Sequence, residues 1–118
     1  MIPLISVIIP VYNQEKFITR CVRSILNQSI DKNIYELIVV DDCSEDNTNV
    51  LLSSFKKEIN IIKNKVNKGL PASLNIGIKK ALGKYIVRLD SDDYVHTDYL
   101  KIMLMALEMN TDFDAVSC

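Results

Sequence analysis

Short, almost continuous apolar runs alternate with segments of helical periodicity along this chain, and this alternation restricts the possible folds more than any other feature. Runs this short and this rich in β-branched residues are typical of strands that are buried on both faces. The predicted strands cover residues 4–11, 35–40, 59–62 and 85–89, and a fifth covers residues 113–116. Regular alternation of strands and helices predicts an α/β fold with a mostly parallel sheet and helices on both faces.

A helix is expected after each of the first four strands. Ser44 is predicted to cap the second helix, and Pro71 to occupy the first position of the third, which is expected to end at Gly83. Pro10 should end the first strand, because proline donates no hydrogen bond to a sheet. The apolar residues at helical spacing are, helix by helix, Phe17, Ile18, Cys21, Val22, Ile25 and Leu26; Leu51, Leu52 and Phe55; Leu74, Ile78 and Leu82; and Leu100, Met103, Leu104 and Leu107.

Length and composition favour one small globular domain over residues 1–118. Hydrophobic residues make up 48% of the 118 residues, which is enough for a core. The formal net charge is −1 and charges of both signs are mixed along the chain, so nucleic acid is not an expected partner. No apolar run reaches the ~20 residues of a transmembrane helix. The 3 cysteines share no metal-type spacing, and we expect them to be reduced thiols of a cytoplasmic protein.

Acidic residues follow two of the predicted strands, and an aromatic residue follows a third. Asp90, Asp92 and Asp93 come after residues 85–89, Asp41 and Asp42 come after residues 35–40, and Tyr12 follows the first strand. Parallel strands place their carboxyl ends at one edge of the sheet, where open α/β sheets bind ligands. Crowded carboxylates repel one another, and a hard cation such as Mg²⁺ or Mn²⁺ relieves the repulsion. The pattern predicts a nucleotide and metal site, with an ordinary acidic turn as the alternative.

Four segments in order resemble the sequence blocks of family 2 glycosyltransferases. These segments are residues 6–13, 39–44, 67–69 and 89–93, and together they extend over most of the chain. The resemblance implies the GT-A fold, a Rossmann-like mostly parallel sheet, here in truncated form. It also implies sugar transfer from a nucleotide-sugar donor, such as a UDP-sugar, to an acceptor hydroxyl with inversion. The acceptor would be a saccharide or glycoconjugate, and the pathway one of polysaccharide or glycoconjugate biosynthesis.

The resemblance assigns roles to the acids that follow the fourth strand. Asp92 matches the last acid of the family's DxD motif, which binds the metal and the diphosphate of the donor. Asp90 matches the first acid of that motif and is expected near the ribose or the donor sugar. Asp93 matches a neighbouring acid and is expected to join Asp92 at the metal, which would be Mn²⁺ or Mg²⁺.

Five further residues are expected to bind the nucleotide. Pro10 and Tyr12 match a segment that lies against the base and ribose, Asn13 belongs to the same block, and Asp42 with Asp41 beside it matches a carboxylate that binds the base. Residue types alone leave alternatives open. Tyr12 can be a core aromatic, Asp41 can complete a turn, and Asn13 can cap the following helix.

The catalytic residue stays unknown at this point. Family members are typically longer, and their second half supplies the acceptor site and the catalytic base. We therefore expect this chain to be a nucleotide-sugar-binding part that lacks the acceptor half, with the base beyond Cys118. Its expected location is the cytoplasm, with any attachment to a membrane made by parts of the protein outside this chain.

Two other functions fit some of the same residues. A phospho-accepting receiver domain of a signalling protein has a similar length and an acid pair at a strand end. Receivers place that pair on their first strand, however, and here the first strand ends without an acid at Val11. A non-catalytic nucleotide-binding module is the second alternative.

Overall fold

The structure is a computed structural model that describes residues 2–109 and the backbone of residues 115–117. Five strands and four helices alternate along the described residues, as the sequence predicts. The strands are β1 (Ile5–Val11), β2 (Tyr35–Asp41), β3 (Asn60–Lys63), β4 (Tyr85–Arg88) and β5 (Ala115–Ser117). The helices are α1 (Ile18–Leu26), α2 (Thr48–Ser53), α3 (Leu70–Lys80) and α4 (Tyr99–Met109). The fifth strand was predicted to begin at residue 113, which lies outside the described residues.

The strands form one sheet in the order β3-β2-β1-β4-β5, and every strand pairing is parallel. The chain first moves outward from β1 through β2 to β3, then returns to the other side of β1 to form β4. This reversal beside β1 is a topological switch point, and ligands of open α/β sheets bind outside the strand ends at such points. Receiver-type folds have the order 2-1-3-4-5 instead.

Helices cover both faces of the sheet, but unequally. The larger cluster of buried residues joins alternate residues of β1, β2 and β4 to α1, α2 and α4. The smaller cluster lies on the opposite face, where Ile8, Ile38 and Val40 pack against α3. Side chains of a strand point alternately to the two faces, so neighbouring residues of the continuous apolar strands belong to different clusters.

Pro10 lies inside β1 rather than at its very end, since Val11 follows it in the strand. The Ile8 carbonyl accepts from the N–H of Leu89, which directly follows β4, and the Val11 carbonyl accepts from the N–H of Asp42 on the other side. Backbone groups at even-numbered positions of β1 therefore face β4. The pairing of β1 with β4 stops at Ile8, so the missing N–H of Pro10 faces a side where no strand remains to accept it.

Two predictions about the helices are wrong. Ser44 does not cap α2, which begins four residues later, with Asn47 at its N-cap and no side-chain capping bond. The third helix ends at Lys80 instead of Gly83, although Pro71 does lie in its first turn. Its buried residues are Ser73 and Gly77, whereas Ile78 and Leu82 of the predicted apolar face are exposed.

Candidate functional site

Three loops meet at the carboxyl edge of the sheet, following β1, β2 and β4. These three strands are neighbours, with β1 in the middle. The first two loops are also joined directly, because the N–H of Gln14 donates to Thr48 Oγ1 and the N–H of Glu15 donates to Asp46 Oδ2. The sequence prediction that these polar segments share one edge is confirmed by the strand order.

The loop after β4 brings three carboxylates together. Asp90, Asp92 and Asp93 each offer a carboxylate oxygen, and these three atoms lie within 4.8 Å of one another. Asp90 is half-buried, Asp92 and Asp93 are exposed, and a turn bond from the Asp93 N–H to the Asp90 carbonyl (3.0 Å) holds the loop. An oxygen-only ligand set on a short loop suits Mg²⁺ or Mn²⁺. The residues present therefore fit a divalent cation.

Asp90 is held from both faces of the sheet. From the α1 face, the buried thiol of Cys21 donates to the Asp90 carbonyl at 3.5 Å. Burial, and then the nearby charges of Asp93, Asp92 and Asp90, raise the pKa of Cys21 to about 12, so this thiol keeps its proton. From the α3 face, Arg88 Nη2 donates to Asp90 Oδ1 at 3.0 Å.

A cation–π stack supports the next part of the same loop. Arg20 on α1 places its guanidinium carbon 4.2 Å from the ring centroid of Tyr94 and 5.5 Å from that of Phe17. Its Nη2 also donates to the backbone carbonyl of Asp92 at 3.4 Å. These contacts hold the loop against the start of α1. Residue types alone did not point to Arg20, which is 72 positions away from its partner Asp92 in the sequence.

Asp42 lies at the end of β2 with a side chain that is only 1% exposed. Its Oδ1 accepts from Asn64 Nδ2 (2.9 Å) and the Lys68 N–H (2.8 Å), and its Oδ2 accepts from the Gly69 N–H (2.9 Å). Burial alone would raise the pKa of Asp42, but these hydrogen bonds, with one to Ser73, outweigh it and hold the pKa below its usual value. The carboxylate is therefore ionised and fastens residues 64–69 to the sheet.

Asp41 is buried as well, at 2% exposure, and its Oδ1 accepts from the Ser44 N–H at 3.1 Å. This bond closes the turn that follows β2, as one of the two interpretations of the sequence proposed. The Ser44 hydroxyl accepts from the Asn13 N–H at 2.9 Å. Ser44 therefore joins two loops at the site instead of capping a helix.

Asn13 occupies the left-handed region, with φ of 51°. Its side-chain oxygen accepts from the N–H groups of Glu45 (2.8 Å) and Asp46 (3.4 Å). Asn13 does not cap α1, whose N-cap is Phe17 and has no side-chain capping bond. Its side chain instead fixes the distance between the loops that follow β1 and β2.

Tyr12 and Pro10 differ in accessibility. Pro10 is buried in the middle strand, whereas Tyr12 is half-buried and follows directly after that strand. Tyr12 is thus not a core aromatic residue.

His96 is exposed, and its Nδ1 accepts from the Asp98 N–H at 3.1 Å, outside the group of three acids.

Comparison with known proteins identifies the family. The sequence model described as glycosyl transferase family 2 matches residues 6–118. The chain belongs to glycosyl transferase family 2. This membership confirms the resemblance and excludes the receiver-domain alternative, in agreement with the strand order.

Two curated relatives are named as transferases of poly(ribitol phosphate). Over 100 residues the chain is 44% identical to a poly(ribitol-phosphate) beta-glucosyltransferase of Bacillus spizizenii, covering 81% of this chain and 16% of that protein. Over 99 residues it is 37% identical to the poly(ribitol-phosphate) beta-N-acetylglucosaminyltransferase TarS of Staphylococcus aureus, covering 81% of this chain and 17% of TarS. The chain thus spans less than a fifth of the length of either relative.

Solved structures show the GT-A fold of the family. S. aureus TarS 1–349 in complex with UDP superimposes with a TM-score of 0.83 and 33% identity, over 91% of this chain and 32% of that one. The mannosyltransferase PcManGT of Pyrobaculum calidifontis, in complex with GDP-Man and Mn²⁺, gives a TM-score of 0.83 at 24% identity, over 91% of this chain and 33% of that one. At that identity the second match shows the fold alone.

Within the described residues of this family 2 chain, no helix is both long enough and apolar enough to cross a bilayer.

Proposed function

We propose that this chain is the donor-binding part of an inverting, metal-dependent glycosyltransferase that uses a UDP-sugar. The observation that carries the proposal is the convergence of three carboxylates beside the ends of β1 and β2. The TarS complexes with UDP and with UDP-GlcNAc support a uridine nucleotide. The names of the relatives support a saccharide or glycoconjugate acceptor and a role in polysaccharide or glycoconjugate biosynthesis.

The acids after β4 would hold the metal and the diphosphate. We assign Asp92 and Asp93 to the cation, because both are exposed, and Asp90 to the ribose or donor sugar, because it is partly covered and held in place. When bound, the cation supplies positive charge that stabilises the departing nucleoside diphosphate. Mn²⁺ and Mg²⁺ both suit an all-oxygen ligand set.

The loops after β1 and β2 would hold the nucleoside. Tyr12 offers a half-buried ring to the base or ribose, and Pro10 is the buried residue of β1 two positions before it. We assign Asp42 to the nucleoside side of the site, where its carboxylate accepts from the N–H groups of Lys68 and Gly69 and holds that loop in place. Asn13 joins the two loops and Asp41 closes the turn after β2, which makes their role in nucleotide binding one of support.

The acceptor site and the catalytic base are assigned to sequence outside this chain, and the enzyme to the cytoplasm. Each acid of the loop after β4 already has a role at the cation or the donor, and Asp42 is buried under hydrogen bonds. A base must lie within hydrogen-bond reach of the acceptor hydroxyl, and a carboxylate that binds a metal is a weak base. The location agrees with the free thiols of Cys21 and Cys43.

Calorimetric titration with UDP tests the donor site. We expect heat of binding with Mn²⁺ and little with a chelator, because Asp92 would hold the cation and the cation would supply positive charge for the diphosphate. Asp92→Ala should abolish the Mn²⁺-dependent heat and leave the thermal midpoint unchanged, since an exposed loop carboxylate contributes little packing. Glu108→Ala, which removes an exposed acid on α4, is the matched control and should bind as the natural chain does.

Three results would contradict the proposal. Equal binding of UDP with and without chelator would show that no cation takes part in donor binding. Absence of UDP binding by the natural chain in Mn²⁺ would show that the donor does not bind at these loops. A large fall in the melting temperature of Asp92→Ala would make this acid a structural residue.

A further inference from the structure

Arg88 departs from the pattern of the strand that contains it. In β4, Tyr85 and Val87 point to the larger cluster, and Ile86 packs against the smaller cluster on the α3 face. Arg88 shares the alternation of Ile86, so its side chain leaves the sheet on the α3 face. There it lines, with Leu70, Pro71 and Leu74, a cavity of about 160 Å³ at the start of α3. A guanidinium in these apolar surroundings is not explained by packing.

A contribution of its hydrogen bonds to stability does not explain the presence of Arg88 either. Arg88 Nη2 donates to Asp90 Oδ1 at 3.0 Å, with 43% and 44% of the two side chains exposed. Exposed ion pairs of this kind contribute little to stability. The Arg88 Nε is buried and has no hydrogen-bond partner among the residues that the structure describes. A buried donor without a partner costs folding free energy. The Nε of Arg88 therefore destabilises the fold, whereas its Nη2 stabilises it only weakly.

What Arg88 does is restrict Asp90. The Cys21 thiol fixes the backbone carbonyl of Asp90 from one face, and Arg88 fixes one carboxylate oxygen from the other. Within the described part of the chain, Oδ2 of Asp90 has no hydrogen-bond donor, so it is the oxygen left for a ligand. The positive charge also offsets the mutual repulsion of three carboxylates whose oxygens lie within 4.8 Å.

We propose that Arg88 is a positioning residue for the donor site. It selects the side-chain orientation of Asp90 that presents Oδ2 to the ribose or sugar of the donor, and it acts through Asp90 rather than by touching the ligand. The inference rests on the proposed function. Arginine suits this role better than lysine, because its planar fork fixes the direction of the bond to a carboxylate as well as its length.

A double-mutant cycle separates action through Asp90 from direct action on the ligand. The variants are Arg88→Gln, Asp90→Asn and the double variant, titrated with UDP in Mn²⁺. We expect Arg88→Gln to weaken binding roughly tenfold and the double variant to bind no more weakly than Asp90→Asn alone. Arg88→Lys should recover part of the loss. Arg23→Gln, at an exposed site on α1, is the matched control and should bind as the natural chain does.

A second measurement covers the case in which Asp90→Asn binds UDP too weakly to be measured. Electron paramagnetic resonance then follows Mn²⁺ bound together with UDP, for which Arg88→Gln and the charge-preserving Arg88→Lys should both be weaker than Arg23→Gln. Thermal melts should show that Arg88→Gln loses less than about 4 °C, in keeping with a weak ion pair.

The results that overturn the inference are distinct from failure of the proposed function. Additive losses in the cycle would mean that Arg88 contacts the ligand itself. Unchanged binding of both UDP and Mn²⁺ by Arg88→Gln would remove any positioning role. Failure of the natural chain to bind UDP in Mn²⁺ would overturn the donor site as a whole, and the inference about Arg88 with it.

Discussion

Two aspartates at the same edge of the sheet show how different surroundings give identical side chains different roles. Asp42 is buried and accepts three hydrogen bonds from residues 64–69, whereas Asp92 is exposed in a loop with two other acids. The first carboxylate organises the site, and the second is available to a cation. Sequence spacing placed both acids at the correct edge. It did not reveal Asn64 or Arg20 as partners, because those contacts join positions 22 and 72 residues apart.

Asp42→Asn should destabilise the domain by about 3 kcal/mol at pH 7. The amide removes the charge and replaces one acceptor oxygen with a donor, which leaves buried N–H groups unpaired. Chemical denaturation monitored by circular dichroism measures the change. Asp31→Asn, at an exposed loop position, is the control and should shift the free energy of unfolding by less than about 0.5 kcal/mol.

The cost of Asp42→Asn should also depend on pH. Folding lowers the pKa of Asp42 from its usual 3.8, so the unfolded chain takes up this proton first as the pH falls. The stabilisation is fully present above the unfolded pKa and is lost as the pH drops through the lower folded pKa. The difference in the free energy of unfolding between the natural protein and Asp42→Asn should therefore narrow below about pH 4. A difference in the free energy of unfolding that stays constant down to pH 2 would show that Asp42 is not held in its charged form.

Whole elements were predicted well where apolar periodicity is strong and poorly where small residues form the contact. The stripe on α1 is confirmed, with Ile18, Cys21, Val22 and Ile25 all buried. On α3 the buried residues are Ser73 and Gly77, which carry no hydrophobic signal, and of the predicted face only Leu74 packs against the smaller cluster. The prediction that Ser44 caps a helix was wrong for another reason, because its hydroxyl accepts from an N–H that lies 31 residues away in a different loop.

Gly77→Ala tests how closely α3 approaches the sheet. A Cβ at this position would lie 2.5 Å from Ile8 Cγ2 and 3.2 Å from Val40 Cγ2, and both belong to buried β-branched side chains that cannot swing away. Alanine normally stabilises a helix by about 1 kcal/mol relative to glycine. Here we expect a net loss of about 2 kcal/mol in a urea titration, because overpacking exceeds that gain.

Lys79→Ala, on the exposed side of the same helix, controls for the effect of alanine on helix formation. It should change the free energy of unfolding by no more than about 0.5 kcal/mol. A Gly77→Ala protein as stable as the natural chain would mean that α3 can move away from β1 at little cost.

At the scale of the molecule, the order of strands explains why the site was predictable at all. Parallel strands with β1 in the middle bring loops from three distant parts of the sequence to one edge. That convergence follows from the alternation of strands and helices alone, so the position of the site could be predicted from the sequence. The orientation of each side chain within the site depends on contacts between loops, and no local pattern encodes those contacts.

The 118-residue chain alone should transfer no sugar. It spans 16% and 17% of the two relatives of known name, and its site acids are assigned to the donor and cation. A coupled assay for released UDP, with several UDP-sugars and acceptors, should show no stimulation by acceptor. TarS 1–349 is the positive control for the assay. Release that rises with acceptor would place the base within these residues, with Asp93 as the first residue to replace.

The position of β1 has a consequence for the order in which the protein is made. Residues 5–11 and 35–41 leave the ribosome long before residues 85–88, so β1 has a partner on one side only while the chain grows. An unpaired strand edge can bind to other chains, and β4 must arrive to cover it. The acids at positions 90–93 emerge directly behind β4. A nascent chain therefore gains the carboxylates that we propose for the cation only after it has made the strand that covers the open edge of β1.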